Sequence, residues 1–162
     1  MKTKLSIKLK HGSPREEQTR DALLSLLDRY DLTRWLVTRN VVIDERAIPH
    51  SHPVLTLHTR HAAEEDRLLS TFIHEQIHRH LAPDIRSLSS KFRTTRRAIK
   101  EIRVLWPGAP TGYPEGDRNA GSSYLHVVVN ELEWRAMESI VGAERARAVM
   151  TFWCGDHYRA IY

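Results

Sequence analysis

The segment between His61 and Ala82 constrains the fold most, because it contains neither glycine nor proline and repeats apolar side chains at helical spacing. The apolar positions are Leu68, Leu69, Phe72, Ile73, Ile77 and Leu81. This pattern predicts a helix over about 62–81 with one buried face. Residues 74–78 of this helix read His-Glu-Gln-Ile-His. Because residues four apart lie roughly 40° apart around a helix, the two imidazoles share one face, one turn apart.

Two imidazoles placed in this way are typical of zinc hydrolases, in which both bind the same metal ion. We therefore expect His74 and His78 to bind one Zn²⁺ ion. Glu75 is expected to act as the general base that takes a proton from a zinc-activated water. Two buried histidines beside a glutamate require partners that offset their desolvation, which favours a metal site over chance histidines on a surface helix.

The composition limits both the metal ligands and the partners. Cys154 is the single cysteine, which predicts no intrachain disulfide and leaves histidine and carboxylate as the zinc ligands. No apolar run approaches the roughly 20 residues that cross a bilayer. The alternating apolar and basic residues at 1–10 favour a strand over a signal peptide. We therefore expect a cytoplasmic protein without a membrane partner, of undetermined oligomeric state.

The formal net charge of +5 makes nucleic acid a partner to consider. The basic residues are spread along the chain, apart from one cluster at Lys91, Arg93, Arg96, Arg97, Lys100 and Arg103. A cluster of this kind is more often a solvated helix face than a phosphate-binding surface. Nucleic acid is therefore a disfavoured partner, and a peptide or protein substrate is expected instead.

Strand patterns precede helix patterns along the chain, which predicts an α+β fold rather than an alternating parallel sheet. Alternating apolar and polar residues predict strands at 3–10, 35–43 and 54–59. Ser13 and Pro14 indicate the start of a first helix, which is expected to end near Tyr30 and Asp31. Its buried stripe is predicted to comprise Leu23, Leu24, Leu26 and Leu27.

The second half of the chain is predicted to be mainly helical. The expected elements are helices at 85–102, 122–141 and 143–153, an extended piece at 104–106 and a Gly/Pro-rich loop at 107–122. Gly142 is expected to end the second of these helices. At 162 residues the chain fits one domain, 1–162. Residues 1–60 would hold the sheet and first helix, and 61–162 would be mainly helical with the metal site.

A catalytic zinc usually has three protein ligands, so a third ligand is expected. Asp84 lies six residues after His78, at a spacing that one class of zinc proteins uses. That class needs a glycine three residues after the second histidine, where this chain has Leu81. His80 points to the opposite side of the helix and is expected to be exposed.

The predicted helix at 122–141 supplies two stronger candidates, Glu131 and Glu133. With Leu125 set at 0° and about 100° per residue, Glu133 falls near 80° and Glu131 near 240°. The predicted buried face lies between about −20° and 60° and comprises Val129, Leu132, Ala136 and Ile140 together with Leu125. Because a carboxylate at a buried face needs a metal or cation, Glu133 is the preferred ligand.

His126 falls near 100° on the same helix, two turns before Glu133. It is a candidate catalytic residue that would line the active site, stabilise an oxyanion or donate a hydrogen bond to a carboxylate. A core histidine bonded to a backbone carbonyl is an equally good interpretation. Tyr124, His157 and Tyr158 are weaker candidates for the oxyanion donor.

The stretches 71–78 (TFIHEQIH) and 123–134 (SYLHVVVNELEW) resemble the gluzincin-type zincins, the thermolysin-like zinc peptidases. The chain is also similar to small uncharacterised bacterial zincin-like metallopeptidase proteins, over roughly residues 50–141. The resemblance implies a zincin-like fold, in which a small twisted mixed sheet packs on the active-site helix with further helices after it. It further implies that 54–59 aligns the substrate by strand addition. The pair Asn130-Glu131 resembles the Asn-Glu pair that carries the third ligand in many such enzymes, which keeps Glu131 as an alternative.

These expectations converge on a zinc-dependent metallopeptidase or peptidase-like hydrolase. Two alternatives stay open from the sequence. One is a catalytically silent zincin-fold module that keeps the metal for stability, which the small size of the chain favours. The other, disfavoured alternative is a nucleic-acid-associated protein that uses the basic cluster.

Overall fold

The computed structural model describes residues 4–81 and 90–162, without the side chains of 90–92. The protein has an α+β fold in which the described residues form five α-helices and a small three-stranded sheet. The chain divides into two compact units, Met1–Arg79 and His80–Tyr162. The single zincin-like domain stays a prediction. Among the described residues, no helix combines the length and the apolar character that crossing a bilayer requires.

The sheet of the first unit is parallel. Strands β1 (Ser6–Leu9), β2 (Asn40–Ile43) and β3 (Leu55–Leu57) lie in the order β1-β2-β3, and both neighbouring pairs run parallel. The expectation of a mixed sheet is therefore wrong for these strands. Helix α1 (Pro14–Arg29) connects β1 to β2. It returns the chain to the end of the sheet where β1 begins, as two parallel neighbouring strands require.

Helix α1 confirms its sequence prediction. The hydroxyl of Ser13 accepts a hydrogen bond from the backbone N–H of Glu16 at 3.3 Å, and Pro14 begins the helix. The helix ends at Arg29, with Tyr30 as its C-cap. Its buried stripe is narrower than predicted, because Leu23 and Leu26 are fully buried while Leu24 is 42% exposed.

The second and third strands are shorter than predicted. Trp35 belongs to a short 3₁₀ turn, Thr33–Trp35, and the strand begins only at Asn40. The backbone N–H groups of Val37 and Thr38 both donate to the side chain of Gln76, so they are not available to a strand ladder. A hydrogen-bonding partner far along the chain thus replaces the strand that local propensity favours.

The His-Glu-Gln-Ile-His pentapeptide lies on helix α2 (Glu65–Leu81), which the sequence predicted. The core of the first unit consists of apolar residues from the strands and from both helices. They include Leu5, Leu23, Leu26, Val41, Ile43, Leu55, Leu57, Leu68, Leu69, Phe72 and Ile73. Full burial of each such side chain contributes about 1.5–3 kcal/mol.

The second unit contains helices α3 (Ser90–Leu105), α4 (Ala120–Val141) and α5 (Ala143–Asp156). The predicted extended piece at 104–106 is wrong, because α3 continues through Leu105. Helix α4 begins two residues before its predicted start, since the side chain of Asn119 caps it by accepting from the N–H of Ser122 at 3.0 Å. Gly142, with φ of 87°, ends α4 as predicted.

The buried face of α4 differs from the predicted one. The buried residues are Ser123, Tyr124, His126, Val129, Asn130, Glu133, Ala136 and Met137. Leu125, Leu132 and Ile140, which were predicted to be buried, are only half-buried. The centre of the face is displaced by about 70–80° from the apolar stripe, toward polar residues. Tertiary packing therefore buries a set of residues that hydrophobicity alone does not select.

Candidate metal centre

Helix α2 holds the imidazole pair and its neighbouring carboxylate on its buried side. His74 is 8% exposed and Glu75 is 6% exposed, while His78 is half-buried. The Nε2 atoms of His74 and His78 lie 3.1 Å apart, and the two ring centroids are 4.7 Å apart. Both imidazoles thus turn the same nitrogen toward a common point.

The separation of these two nitrogens fits a shared zinc ion. Two nitrogens at 2.0–2.1 Å from a tetrahedral zinc lie roughly 3.3–3.4 Å apart, slightly more than the 3.1 Å between these two atoms. A hydrogen bond between two neutral imidazoles, one donating and one accepting, has a similar length. The donor set of His74 and His78 is therefore suited to zinc, and metal binding distinguishes the two interpretations.

Two residues that the sequence analysis did not identify attach α2 to neighbouring segments of the first unit. Gln76 is fully buried, and its Oε1 accepts from the N–H groups of Val37 and Thr38, each at 2.9 Å. Its Nε2 donates to the carbonyl of Thr38 at 2.8 Å. Arg79 donates to the carbonyls of Ser51 and Pro53 at 3.0 and 2.7 Å. The middle of the pentapeptide thus has a structural role, and these bonds fix the position of α2.

The two candidates that follow His78 along the chain, His80 and Asp84, gain no support as third ligands. His80 is exposed, as predicted. Asp84 lies outside the described residues. The side chain of Lys91, which belongs to the basic cluster, also lies outside the described residues.

Helix α4 separates its two glutamates as the sequence analysis predicted. Glu133 is fully buried, and its Oε2 accepts a hydrogen bond from the hydroxyl of Tyr162 at 2.9 Å. Glu131 is exposed, and its Oε1 lies 2.7 Å from Nε and 2.6 Å from Nη2 of Arg135. An exposed carboxylate paired with arginine one turn away has a sufficient structural explanation. That Glu133 completes the coordination begun by the two histidines stays a prediction.

His126 is buried on the same face of α4, at 7% exposure. Its Nδ1 lies 2.9 Å from the carbonyl oxygen of Ser122 and 3.3 Å from a carboxylate oxygen of Asp117. Burial lowers the pKa of His126, although the Ser122 carbonyl and the charge of Asp117 oppose this shift. Because both neighbours of Nδ1 are acceptors, Nδ1 carries the proton in the neutral ring and Nε2 carries the lone pair.

This protonation state bears on the predicted roles of His126. A neutral ring with its proton on Nδ1 cannot donate from Nε2 to an oxyanion or to a carboxylate. The same form is the one in which histidine binds metals, with its second nitrogen oriented by a carbonyl or carboxylate. Asp117 is positioned by Ser123, whose Oγ accepts from the N–H of Asp117 at 3.0 Å and donates to the carbonyl of Pro110 at 2.8 Å.

The aromatic candidates fall into two groups. The hydroxyl of Tyr124 donates to the carbonyl of Trp106 at 2.9 Å and accepts from the N–H groups of Gly108 and Ala109, so it anchors the 106–109 loop. Tyr158 packs on His126, with ring centroids 4.2 Å apart, and His157 packs on Tyr158 at 4.8 Å. Tyr158 therefore contacts a candidate site residue, His126, directly.

The buried face of α4 also carries an unsatisfied amide. Asn130 is 5% exposed, and neither its amide nitrogen nor its amide oxygen has a hydrogen-bond partner among the described residues. Ser123, His126, Asn130 and Glu133 follow one another at spacings of three, four and three residues. A buried polar stripe of this kind was a signal available in the sequence, because helical spacing applies to polar residues as it does to apolar ones.

A second group with metal-ligand chemistry lies in the first unit, where His11, Glu16 and Asp44 bring ligand atoms within 4.8 Å of one another. The carboxylate of Glu16 accepts from three backbone N–H groups, those of His11, Gly12 and Glu45, at 2.8–3.2 Å. Burial raises the pKa of Glu16, but these hydrogen bonds and the charge of His11 outweigh burial and lower it overall. The group therefore has a complete structural explanation as the junction between β1, α1 and the end of β2.

The strand expected to align a substrate is not an open edge along its whole length. Thr56, at the centre of β3, exchanges two backbone hydrogen bonds with His50, at 2.8 and 3.1 Å. Strand addition at Thr56 would thus compete with the chain's own 48–54 loop. This is a correction to the expectation that all of 54–59 is available to a peptide.

The basic cluster lies on an exposed face of α3. Arg93, Arg96, Arg97, Lys100 and Arg103 are all exposed. Arg97 pairs with Glu101 one turn away, and the guanidinium of Arg103 lies 5.1 Å from the ring centroid of Tyr124. These contacts agree with a solvated face of the helix.

No protein-family model, no curated protein and no solved structure matches this chain. The functional interpretation therefore depends on the side-chain geometry of the described residues.

Proposed function

We propose that this protein is a zinc-dependent hydrolase of the peptidase type, with a peptide or protein as its substrate. The observation that supports this most is the 3.1 Å separation of the Nε2 atoms of His74 and His78, on a buried helix face next to the buried Glu75. A catalytic zinc usually has three protein ligands, and two imidazoles that converge on one point supply two of them.

In this proposal His74 and His78 bind Zn²⁺ through their Nε2 atoms, and Glu133 supplies the third ligand. A bound zinc ion lowers the pKa of water to about 7 and polarises the substrate carbonyl. Glu75 accepts the proton of the attacking water and then returns it to the amine that leaves. Burial of Glu75 keeps bulk water away from this proton transfer.

His126 competes with Glu133 for the role of third ligand. Its neutral ring offers a lone pair at Nε2, and its Nδ1 is oriented by Ser122 and Asp117. With Glu133 as ligand, His126 lines the site as a neutral group. The two assignments differ in which substitution removes zinc, Glu133→Gln or His126→Ala.

The test compares Glu75→Gln with the wild-type protein, using zinc content and hydrolysis of a peptide library. We expect Glu75→Gln to keep one zinc per chain and to reduce the hydrolysis rate by about 10²–10⁴-fold, the contribution of a general base. His74→Ala is expected to lose zinc. Glu65→Gln makes the same chemical change at the start of α2 and is expected to retain activity.

The possible outcomes separate the proposal from its alternatives. Full activity in Glu75→Gln contradicts the proposed mechanism. A wild-type protein that binds zinc tightly but cleaves no peptide supports the catalytically silent module. Absence of zinc binding at micromolar concentrations contradicts both.

A further inference from the structure

The segment 156–162, which begins at the last residue of α5, touches two ionisable residues on the buried face of α4. Tyr162 donates its hydroxyl to Oε2 of Glu133 at 2.9 Å. Tyr158 packs its ring on His126 at a centroid distance of 4.2 Å. One short turn thus brings two tyrosines to the two residues that compete for the third-ligand role. We name residues 156–162 the tyrosine strap.

The tyrosine strap is held by backbone hydrogen bonds within itself and to the 107–119 loop. Within it, the N–H groups of Ile161 and Tyr162 donate to the carbonyl of Tyr158 at 2.8 and 3.1 Å. Toward the 107–119 loop, the N–H of Arg159 donates to Pro114 at 2.9 Å and that of Ala160 to Glu115 at 3.2 Å. These bonds fix the path of the backbone.

Tyr158 adopts a left-handed backbone conformation, with φ of 51°. A tyrosine in this region costs on the order of 1 kcal/mol, because its Cβ crowds the backbone. Such a conformation persists only where surrounding contacts stabilise it. Here it makes the tight turn that directs the rings at 158 and 162 toward α4.

The ring of Tyr162 is fixed as well as its backbone. It is stacked against Trp153 at an interplanar angle of 27° with centroids 6.5 Å apart, and it meets His157 edge-on at 5.9 Å. A tyrosine constrained on two sides loses little further entropy when its hydroxyl donates. Its hydroxyl is therefore a preorganised donor to Glu133.

We propose that Tyr162 is a positioning residue that orients the carboxylate of Glu133 for metal binding. By engaging Oε2, the hydroxyl would fix the rotation of the carboxyl group, and the oriented carboxylate would supply one ligand to the metal ion. A partner that orients a ligand in this way typically accounts for a 10–100-fold difference in metal affinity. This inference rests on the proposed function, specifically on Glu133 as the third ligand.

The test measures the zinc affinity of Tyr162→Phe by competition with a chromogenic chelator. This substitution removes the hydroxyl and keeps the ring. We expect the affinity to fall about 10–100-fold. Tyr113→Phe is the matched control, because Tyr113 is 78% exposed and its hydroxyl donates to the backbone carbonyl of Asp156 in the same strap. It is expected to leave the affinity within about twofold, as is typical of surface changes.

A double substitution separates positioning from general stabilisation. If Tyr162 acts through Glu133, then Tyr162→Phe has no further effect on zinc affinity in the Glu133→Gln background. The absorption spectrum of bound Co²⁺ provides a second measurement. We expect this spectrum to shift in Tyr162→Phe and to stay unchanged in Tyr113→Phe. Circular dichroism of the zinc-free proteins establishes that they are folded. The zinc affinity of a partly unfolded variant is measured at low temperature, where the variant is folded.

Three failures are distinguishable. An unchanged affinity in Tyr162→Phe, together with a large loss in Glu133→Gln, contradicts the role of Tyr162 and leaves the proposed site intact. An unchanged affinity in Glu133→Gln contradicts Glu133 as the ligand, and with it the basis of this inference. Equal losses in Tyr162→Phe and Tyr113→Phe assign the effect to the fold of the strap and overturn the positioning role.

Discussion

Two carboxylates of this protein, Glu16 in the first unit and Glu133 in the second, are both fully buried, yet their surroundings differ. Glu16 accepts from three backbone N–H groups in the turn before α1 and after β2. Glu133 accepts from the hydroxyl of Tyr162, a side chain that lies 29 positions further along the chain. Both residues are thus buried, and they differ in the groups that donate hydrogen bonds to their carboxylates.

This difference indicates how the role of a buried carboxylate can be inferred from its hydrogen-bond donors. Three backbone N–H groups satisfy the carboxylate of Glu16, so its charge serves to hold the strand–helix junction. The hydroxyl of Tyr162 is a neutral donor to Glu133, and carboxylates that bind metals are themselves hydrogen-bonded. We therefore assign an architectural role to Glu16 and propose a metal-binding role for Glu133.

The largest expected effect comes from exchanging the carboxylates for amides and measuring zinc affinity. Glu133→Gln is expected to reduce the zinc affinity by more than about 100-fold. The loss of a metal ligand weakens binding more than the loss of a residue that orients the ligand. Glu16→Gln is expected to leave the zinc affinity unchanged. Isothermal titration with zinc or chelator competition measures both. Equal affinities in the two variants would erase the proposed distinction.

The next effect concerns stability. Glu16→Gln is expected to lower the free energy of unfolding by about 1.5–3 kcal/mol, because hydrogen bonds to a charged acceptor are lost and an amide NH₂ faces backbone donors. Glu17→Gln is the matched control, since Glu17 lies on the same turn of α1 and is exposed. Urea unfolding at neutral pH measures both variants. A loss in Glu17→Gln as large as in Glu16→Gln would show that the buried hydrogen bonds are not the cause.

The pH dependence of the same pair sharpens this prediction. The pKa of Glu16 is lower in the folded protein than in the unfolded chain, because the backbone hydrogen bonds outweigh burial. Its contribution to stability is therefore complete above the unfolded value of about 4.3 and is lost as the pH falls through the lower folded value. The difference between wild type and Glu16→Gln should shrink in that acidic range. A difference that stays constant there would contradict the assignment.

The smallest effect is expected at Glu131. Glu131→Gln removes an exposed pair with Arg135, which is worth about 0.3–0.5 kcal/mol. Zinc affinity is expected to equal that of the wild type, in contrast to Glu133→Gln two positions later. A loss of zinc in Glu131→Gln with none in Glu133→Gln would reverse the assignment of the third ligand.

Several elements were predictable because their determinants are local. The apolar spacing and the absence of glycine and proline predicted α2, and the Ser13-Pro14 pair predicted the start of α1. The contrast between Glu131 and Glu133 followed from helical periodicity, which the burial of the two residues confirms. That burial does not establish metal binding.

Other features were not predictable from local patterns. The centre of the buried face of α4 differs by about 70–80° from its apolar stripe, because polar residues are buried by contacts with distant segments. Tyr158 and Tyr162 reach this face only through a turn whose backbone bonds go to Pro114 and Glu115. The parallel sheet likewise depends on how the chain crosses from one strand to the next, which residue periodicity does not encode.

The sequence by itself determined that two histidines and a glutamate share one turn of a buried helix, since helical geometry fixes the positions of residues one to four apart. It also determined which glutamate of α4 lies on the buried side. Only the tertiary structure decided what each buried polar group contacts. Those contacts join residues that are distant along the chain, and the cost of leaving a buried charge or amide unsatisfied makes them specific.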